Sequence, residues 1–540
     1  MRAPSWLGGM LAALVATTAG AQPVLEEAGL GIEFVTDALS TPASLGFIGD
    51  GDFLVIQKDD GQVMRVTGGS VSGPVLDLPV NSAGERGGLG LAVHPAFGTG
   101  ADRDWVYVYY TESGAAGDVS SGGGPFLNQV VRYEWNGSAL VSPTPILTLP
   151  GDDSTHNGGI LVFGSDGMLY GVNGDNQRDG QLQNNAAGAP PDDSGMIFRV
   201  DENGAAPADN PFFALGGSLQ KIFAYGVRNS FGLGVDPLSG DLWDTENGPG
   251  SFDEVNRVVP GFNSGWRDGM GPGMPAGLVE FAGSSYRDPA YSIQNPVAVT
   301  GIAFASEATA LGDDYVGDAF VGDFNQGQVY RFPVNPARDG LALGDLVAND
   351  QAELDGFRFA RGFAGGVTDL EEGPDGFLYV VEIFGGAVWR IGPSRDFAVT
   401  KLKLPRRVSL SVARPVVVKK GSVQLRNQGA GPETIADADA LAALLGLAIT
   451  PTSEACLAPA VEWVPPKQGF PLVVRPKKKL KLKFLVSWDC VGGFETTFTL
   501  SLPEDVDPSD DVCPRPRAGA DKGCGKKPLG SPLTTDVIQK

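Results

Sequence analysis

Only two histidines occur in the 540 residues, and one of them, His156, stands in Thr155-His156-Asn157-Gly158-Gly159 just ahead of a strand-like run. Nineteen residues later Asp175 closes the next strand-like run, in Asn173-Gly174-Asp175. The two runs can pair as one hairpin-like excursion, which returns Asp175 to the rim that holds His156. A carboxylate beside an imidazole orients the ring and raises its basicity, the minimum equipment for taking a proton from an alcohol. The alternative is a histidine hydrogen-bonded in a turn, with Asp175 as a turn former. Arg228 lies where the strand pattern of Tyr225-Gly226-Val227-Arg228-Asn229-Ser230 breaks. Its guanidinium fork suits a carbonyl or a carboxylate, and a salt bridge to an acidic surface is the plainer reading. Glu246-Asn247-Gly248-Pro249 and Asp253-Glu254-Val255-Asn256 follow. Their acidic and amide oxygens, with open glycine and proline carbonyls, are hard ligands suited to Ca²⁺, although no EF-hand spacing is present.

These residues must be positioned by short strands. From about residue 30 to 393 the chain returns to one phrase: a Gly/Asp turn, an apolar strand, a polar turn, then a second strand ending in Arg and an apolar residue. It is clearest in Asp375-Gly376-Phe377-Leu378-Tyr379 with Ala387-Val388-Trp389-Arg390-Ile391. It recurs around Phe53, Tyr170 and Phe320, and less regularly around Tyr107 and Trp243. Alternating β-branched and aromatic residues bounded by turn formers read as strand pairs. Such units bury both faces only by stacking on one another, and a radial arrangement leaves few open edges. Six copies, at about 60 residues each, predict a six-bladed all-β propeller with long loops; a β-helix would need shorter, more even repeats.

The phrase stops near residue 396, where the charge also changes sign. Residues 1–394 hold 18 Lys and Arg against 49 Asp and Glu, and residues 395–540 hold 22 against 15. The break predicts a separate C-terminal β-domain over 396–540, sandwich-like, with strands at 401–410, 415–425 and 476–487, one helix at 436–447 and a loosely ordered tail. All four cysteines lie here, and their even number reads as two disulfides, Cys456–Cys490 and Cys513–Cys524. The strongly negative body repels phosphates, which argues against nucleic acid as its partner. Arg2, the short apolar run Trp6 to Val15 and Ala19-Gly20-Ala21 read as a signal peptide over 1–21, hence a secreted or periplasmic protein. No later apolar run is long enough to span a membrane.

In combination these segments resemble the soluble glucose dehydrogenase/aldose sugar dehydrogenase family. The matching text is Gly84-Glu85-Arg86-Gly87-Gly88-Leu89-Gly90-Leu91, His156-Asn157-Gly158-Gly159 with Gly174-Asp175, Ala224 to Leu233, and Asn247-Gly248-Pro249 through Gly265-Trp266. The resemblance covers about 30–393 and implies a quinoprotein oxidoreductase that uses pyrroloquinoline quinone (PQQ) and Ca²⁺. It implies that His156 is the general base, oriented by Asp175, while a hydride leaves the C1 of an aldose sugar to give a lactone. Arg228 and Asn229 would contact the quinone, with Glu85, Asn247 and Asp253 at the cofactor site. The carbonyls of Gly248 and Pro249 would hold Ca²⁺, and Glu254 matches a second, structural Ca²⁺ position. His94 has no catalytic role in that pattern. Electrons would leave to an external acceptor, since no C-x-x-C-H haem motif is present.

The chain departs from the family in three places. Asn325 stands where a lysine is expected, Gly366-Val367-Thr368 where two arginines are expected, and Glu85 where an amide is expected; Arg361 is near enough in sequence to compensate. Glu85-Arg86-Gly87 is a feature of hedgehog-interacting-protein-like relatives. A non-catalytic propeller that binds a protein or glycan partner is therefore the second reading, and a Ca²⁺-dependent lactonase the third.

Overall fold

The computed structural model describes residues 22–539 except 28, 122–125, 268, 395–396, 428–432, 436, 439–440, 442–443, 453–455, 468, 476 and 501–532. The expected signal peptide and the Cys513–Cys524 pair fall outside them.

Residues 24–393 form six sheets laid down one after another. The first is built from Pro42–Gly49, Asp52–Gln57, Gln62–Thr67 and Ser70–Asp77 in chain order. The next begin with Gly88–Val93, Leu161–Phe163, Ser230–Val235, Val299–Phe304 and Val367–Glu372. In each, the leading strands run antiparallel in sequence order, joined by short turns in some places and by long loops in others, such as residues 174–195 of the third sheet. The sixth sheet is completed out of order by Leu30–Thr36, which pairs antiparallel with Ala387–Pro393. The chain thus sews its own beginning onto its last sheet. Every copy of the sequence phrase falls on the second and third strands of one sheet.

The first strands of consecutive sheets lie side by side, and that of the sixth lies against that of the first. A backbone-to-side-chain bond ties this last contact: the Leu45 N–H donates to Asp369 Oδ2 at 2.9 Å. Six apolar clusters fill the six gaps. Leu54, Val106 and Val131 pack between sheets one and two, and Leu45, Tyr379 and Val388 between sheets six and one. The intervening gaps hold equivalent groups centred on Phe198, Ile197, Trp243 and Phe320. Burial is therefore shared among interfaces rather than concentrated in one core, as expected of units that cannot cover both faces alone.

Five of the six first strands carry a register shift near their starts, at Pro42/Ser44, Gly88/Gly90, Ser230/Gly232, Val299/Ile302 and Val367/Asp369. Such bulges re-aim side chains and are common beside functional sites. Here they all lie at the end where the chemically capable residues collect.

Residues from Phe397 onward pack around a cluster of their own, centred on Leu425, Phe484 and Trp488. One sheet has the order Phe397–Lys403, Val417–Asn427, Lys479–Trp488, Ala460–Val464, and another joins Arg407–Leu410, Leu533–Gln539, Gly492–Leu500 and Leu445–Pro451. The strand expected over 401–410 is two strands in different sheets, because Pro405 lacks the N–H that a continuous ladder needs. The expected helix over 436–447 is cut short: Ala438, Leu441 and Leu444 are helical, and a strand begins at Leu445. Cys456 and Cys490 form a disulfide, as expected.

Candidate functional site

His156 and Asp175 meet. His156 Nδ1 and Asp175 Oδ1 are 2.6 Å apart, and both side chains are buried. Asp175 follows the second strand of the third sheet, Leu169–Asn173, and His156 precedes that sheet's first strand. The hairpin returns the carboxylate to the imidazole, as the spacing implied. Gly174 makes the approach feasible: a Cβ there would lie 2.3 Å from the His156 carbonyl and 2.9 Å from that of Arg228. The Asp175 N–H also donates to the Arg228 carbonyl at 2.8 Å, which registers the fourth-sheet loop against the dyad.

His156 has a backbone φ of +58°, and Asn176 and Gln177 have φ of +49° and +56°. Non-glycine residues in the left-handed region carry strain that surrounding contacts must hold. Glu85 supplies one such contact. Its Oε2 accepts the His156 N–H at 2.6 Å and the Asn229 side-chain amide at 3.0 Å, so this acid ties the second, third and fourth sheets together. Over the imidazole, Gln177 Nε2 lies 3.2 Å from His156 Nε2.

Arg228 is partly buried, and burial lowers its pKa below the usual arginine value although the charges of Asp175, Glu246, Glu85 and Asp253 oppose that shift. Its N–H donates to Glu246 Oε1 at 2.6 Å and its Nη1 to the Asn247 carbonyl at 2.7 Å, while its buried Nε has no partner. Asn229 Oδ1 and Asn247 Oδ1 are also buried without a partner. Asn247 donates to the Val299 carbonyl at 2.9 Å. Sequence reasoning assigned no role to Trp266. Its indole N–H donates to Asp175 Oδ2 at 2.6 Å, and the Arg228 guanidinium lies 5.3 Å from its ring centroid. One indole thus positions both the carboxylate and the guanidinium.

Asp253 is not an open ligand. Its carboxylate accepts the N–H groups of Gly248, Val297, Ala298 and Val299, pinning the half-buried Gly248 and exposed Pro249 against the fifth sheet. Glu254 accepts the Gly271 N–H at 2.7 Å and the Asn256 amide at 3.4 Å. Glu246, Asp244 and Glu254 form a buried acidic group. Burial first, then the charges of Glu254 and Asp244, push Glu246 well above the carboxylate range. Burial raises Asp244 to about 7 and Glu254 to about 8. Asp244 Oδ1 and Asn256 Oδ1 have no partner. His94 is structural: its Nδ1 accepts the Ala96 N–H, and its ring packs edge-on against Trp105 and Phe163.

A cavity of about 380 Å³ opens where the first strands begin, with Glu85 and Gly158 in its wall. His156 is not itself in that wall; Glu85 is the link between cavity and dyad. Lys58, Thr368, Phe324, Ile383 and Phe384 also line it. Lys58 went unnoticed in the sequence, yet it follows the second strand of its sheet just as Asp175, Asn247, Phe324 and Ile383 do. The repeat position was the signal. Its Nζ lies 3.1 Å from Asp59 Oδ1. Arg361 does not compensate for the absent basic residues: its guanidinium faces Glu26 at 2.8 Å, away from the cavity. Of the positions where positive charge was expected, Thr368 is in the wall and Asn325 is exposed outside it, while Phe324 and Phe384 pack edge to face at 5.6 Å in the same wall.

Comparison with known proteins shows the family of this chain. The family model described as Glucose / Sorbosone dehydrogenase matches residues 39–388. Aldose sugar dehydrogenase YliI of Escherichia coli is 27% identical over 376 residues, covering 67% of this chain and 92% of that protein. Quinoprotein glucose dehydrogenase B of Acinetobacter calcoaceticus is 31% identical over 307 residues, covering 52% of this chain and 61% of that protein. Among solved structures, the PQQ-bound form of an aldose sugar dehydrogenase from Streptomyces coelicolor superposes with a TM-score of 0.52 at 24% identity, covering 68% of this chain and 99% of that one.

Proposed function

Because the chain belongs to the glucose/sorbosone dehydrogenase family, we propose that it is a PQQ-dependent aldose dehydrogenase, oxidising a sugar's C1 hydroxyl to the lactone. The carrying observation is the buried His156–Asp175 pair, with the unpartnered donor of Arg228 held against the same indole.

Asp175 accepts from Nδ1 and keeps a proton there, leaving the lone pair on Nε2. Gln177 holds that position and yields it to the substrate hydroxyl, whose proton passes to Nε2. Asp175, buried and bonded to Trp266, stabilises the imidazolium that results. PQQ, when bound, supplies the two-electron acceptor that takes the C1 hydride. Arg228 suits a carbonyl of the cofactor, since its buried Nε donor has no protein partner, and the Asn229 Oδ1, an acceptor without a partner, suits a hydrogen-bond donor of the cofactor. The carbonyls of Gly248 and Pro249 suit Ca²⁺, Asp253 fixing their loop. The orphaned oxygens of Asp244 and Asn256 beside Glu254 suit a second cation, which would keep these acids ionised. Lys58 is the cation available to a carboxylate in the cavity wall.

The six sheets are read as the blades of one propeller over 30–393, supported by the contact of sheet six with sheet one. Residues 396–540 are read as a separate sandwich-like β-domain. The disulfide and the signal-like first residues support export to the periplasm or beyond. Electrons pass to a separate acceptor.

With one lysine facing three cofactor carboxylates, PQQ binding is weak and strongly Ca²⁺-dependent. Each missing charge-assisted contact costs roughly 1.5–3 kcal/mol. Titration calorimetry in excess Ca²⁺ tests this: Asn325→Lys with Thr368→Arg tightens binding, and Lys58→Ala loosens it. If no PQQ binds even to the double variant at millimolar concentration, the dehydrogenase reading fails. The aromatic wall then favours the second reading, a propeller that binds a partner without catalysis.

A further inference from the structure

The outward face of one C-terminal sheet carries an ordered array of unpaired cations. In Lys479–Trp488, Leu480, Leu482 and Phe484 are buried while Lys479, Lys481 and Lys483 are exposed. The neighbouring Val417–Asn427 buries Val423 and Leu425 and turns Ser422, Gln424 and Arg426 the other way. Beyond it, Lys401 and Lys403 flank the buried Leu402. The register aligns these residues into rows. Lys403, Ser422 and Lys483 form one, Lys401, Gln424 and Lys481 the next, and Arg426 faces Lys479 in the third. Two lysine rails, about 9.5 Å apart, therefore flank a central track of hydroxyl and amide, with cations repeating about every 6.8 Å along each rail.

None of the six cations is in an ion pair among the described residues. Like charges on one face, and directly opposite as Arg426 and Lys479 are, destabilise a sheet. These strands lie inside the sheet as well as at its margin, so the lysines do not serve only to protect an edge. The arrangement is accounted for if the missing counter-charge comes from outside.

We propose that this face binds a linear acidic polysaccharide lying along Val417–Asn427, its anionic groups on the lysine rails and its hydroxyls on Ser422 and Gln424. The track is polar, with Gln424 held by the Thr400 hydroxyl. No large apolar side chain stands between the rails to enter a bilayer, and no aromatic ring is there to stack a nucleobase. The inference does not depend on the oxidoreductase reading.

Affinity electrophoresis of the intact protein through gels containing polygalacturonate, heparin or neutral dextran tests it. The two acidic polymers retard the protein and dextran does not. Lys401→Glu/Lys481→Glu/Lys483→Glu lowers affinity ~100-fold or more and flattens its salt dependence, and the matching glutamine variant does so by less. Ser422→Ala/Gln424→Ala lowers affinity ~10-fold with the salt dependence unchanged, a signature that bare charge attraction lacks. A control with Arg407→Glu, Arg414→Glu and Lys467→Glu, which lie off this face, stays within ~3-fold of the parent. Absence of retardation at low salt overturns the proposal, and so does equal weakening by the control. Tighter binding to vesicles of equimolar phosphatidylcholine and phosphatidylglycerol, or to duplex DNA, also overturns it, in favour of a membrane or nucleic-acid surface.

Discussion

The six-sheet body and the C-terminal sheets treat charge in opposite ways. In the body cations are scarce, and most arginines are committed to an acid of the same body: Arg199 to Asp166 and Asp209, Arg338 to Asp236, Arg390 to Glu33 and Asp375. Among the buried polar atoms without a partner in the described residues there, those of Arg228, Asn229 and Asn247 lie close to the His156–Asp175 pair. In the C-terminal sheets cations are plentiful, and the six on one face are in no ion pair among the described residues.

The comparison is sharpest at the proposed catalytic pair. His156→Ala is expected to cut sugar-dependent dye reduction by about 10²–10⁴-fold, the usual cost of losing a general base, while calorimetric PQQ binding persists. Trp266→Phe keeps the ring under Arg228 but removes the bond to Asp175. It should lower kcat about tenfold with little change in KM, and Asp175→Asn should lie between the two variants. Parental activity in the His156 variant would mean that this end of the body is not catalytic.

The committed pairs should matter next. Burial opposes ionisation of Asp236, but its bonds to Arg338, the Ser239 hydroxyl and the Leu238 N–H prevail and hold its pKa below the usual value. A carboxylate with a lowered folded pKa stabilises at neutral pH, and that contribution is lost as pH falls through the folded value. Arg338→Met is therefore expected to cost about 3 kcal/mol at pH 7, read by urea unfolding. The deficit should shrink below about pH 4, as the stranded acid takes up a proton. A deficit that grew on acidification would contradict the pairing. The smallest effect belongs to the basic face: Lys481→Met should change stability by less than about 0.5 kcal/mol or raise it slightly, because it removes repulsion rather than a partner. A loss comparable to that of Arg338→Met would erase the contrast between the regions.

Much was legible before folding was considered. The strand phrase and its six returns depend on local alternation and turn residues, which the chain carries in every segment. The same holds for the lysine alternation of Lys479–Trp488, for the change of charge near residue 394, and for the His156–Asp175 pair, whose hairpin brings them together over a short distance. The three-dimensional arrangement decided the rest, because it depends on which sheets become neighbours. Trp266 reaches Asp175 across 91 residues and Glu85 reaches Asn229 across 144, spans over which no local pattern operates. Arg361 is close to the cavity in sequence but is drawn away by Glu26, an acid from the opposite end of the body's chain. Lys58 reaches the cavity only because its sheet is one of the six around it. The Lys401 and Lys481 rails became a single surface only through the register of Val417–Asn427 between them, a pairing that burial of the opposite face imposes.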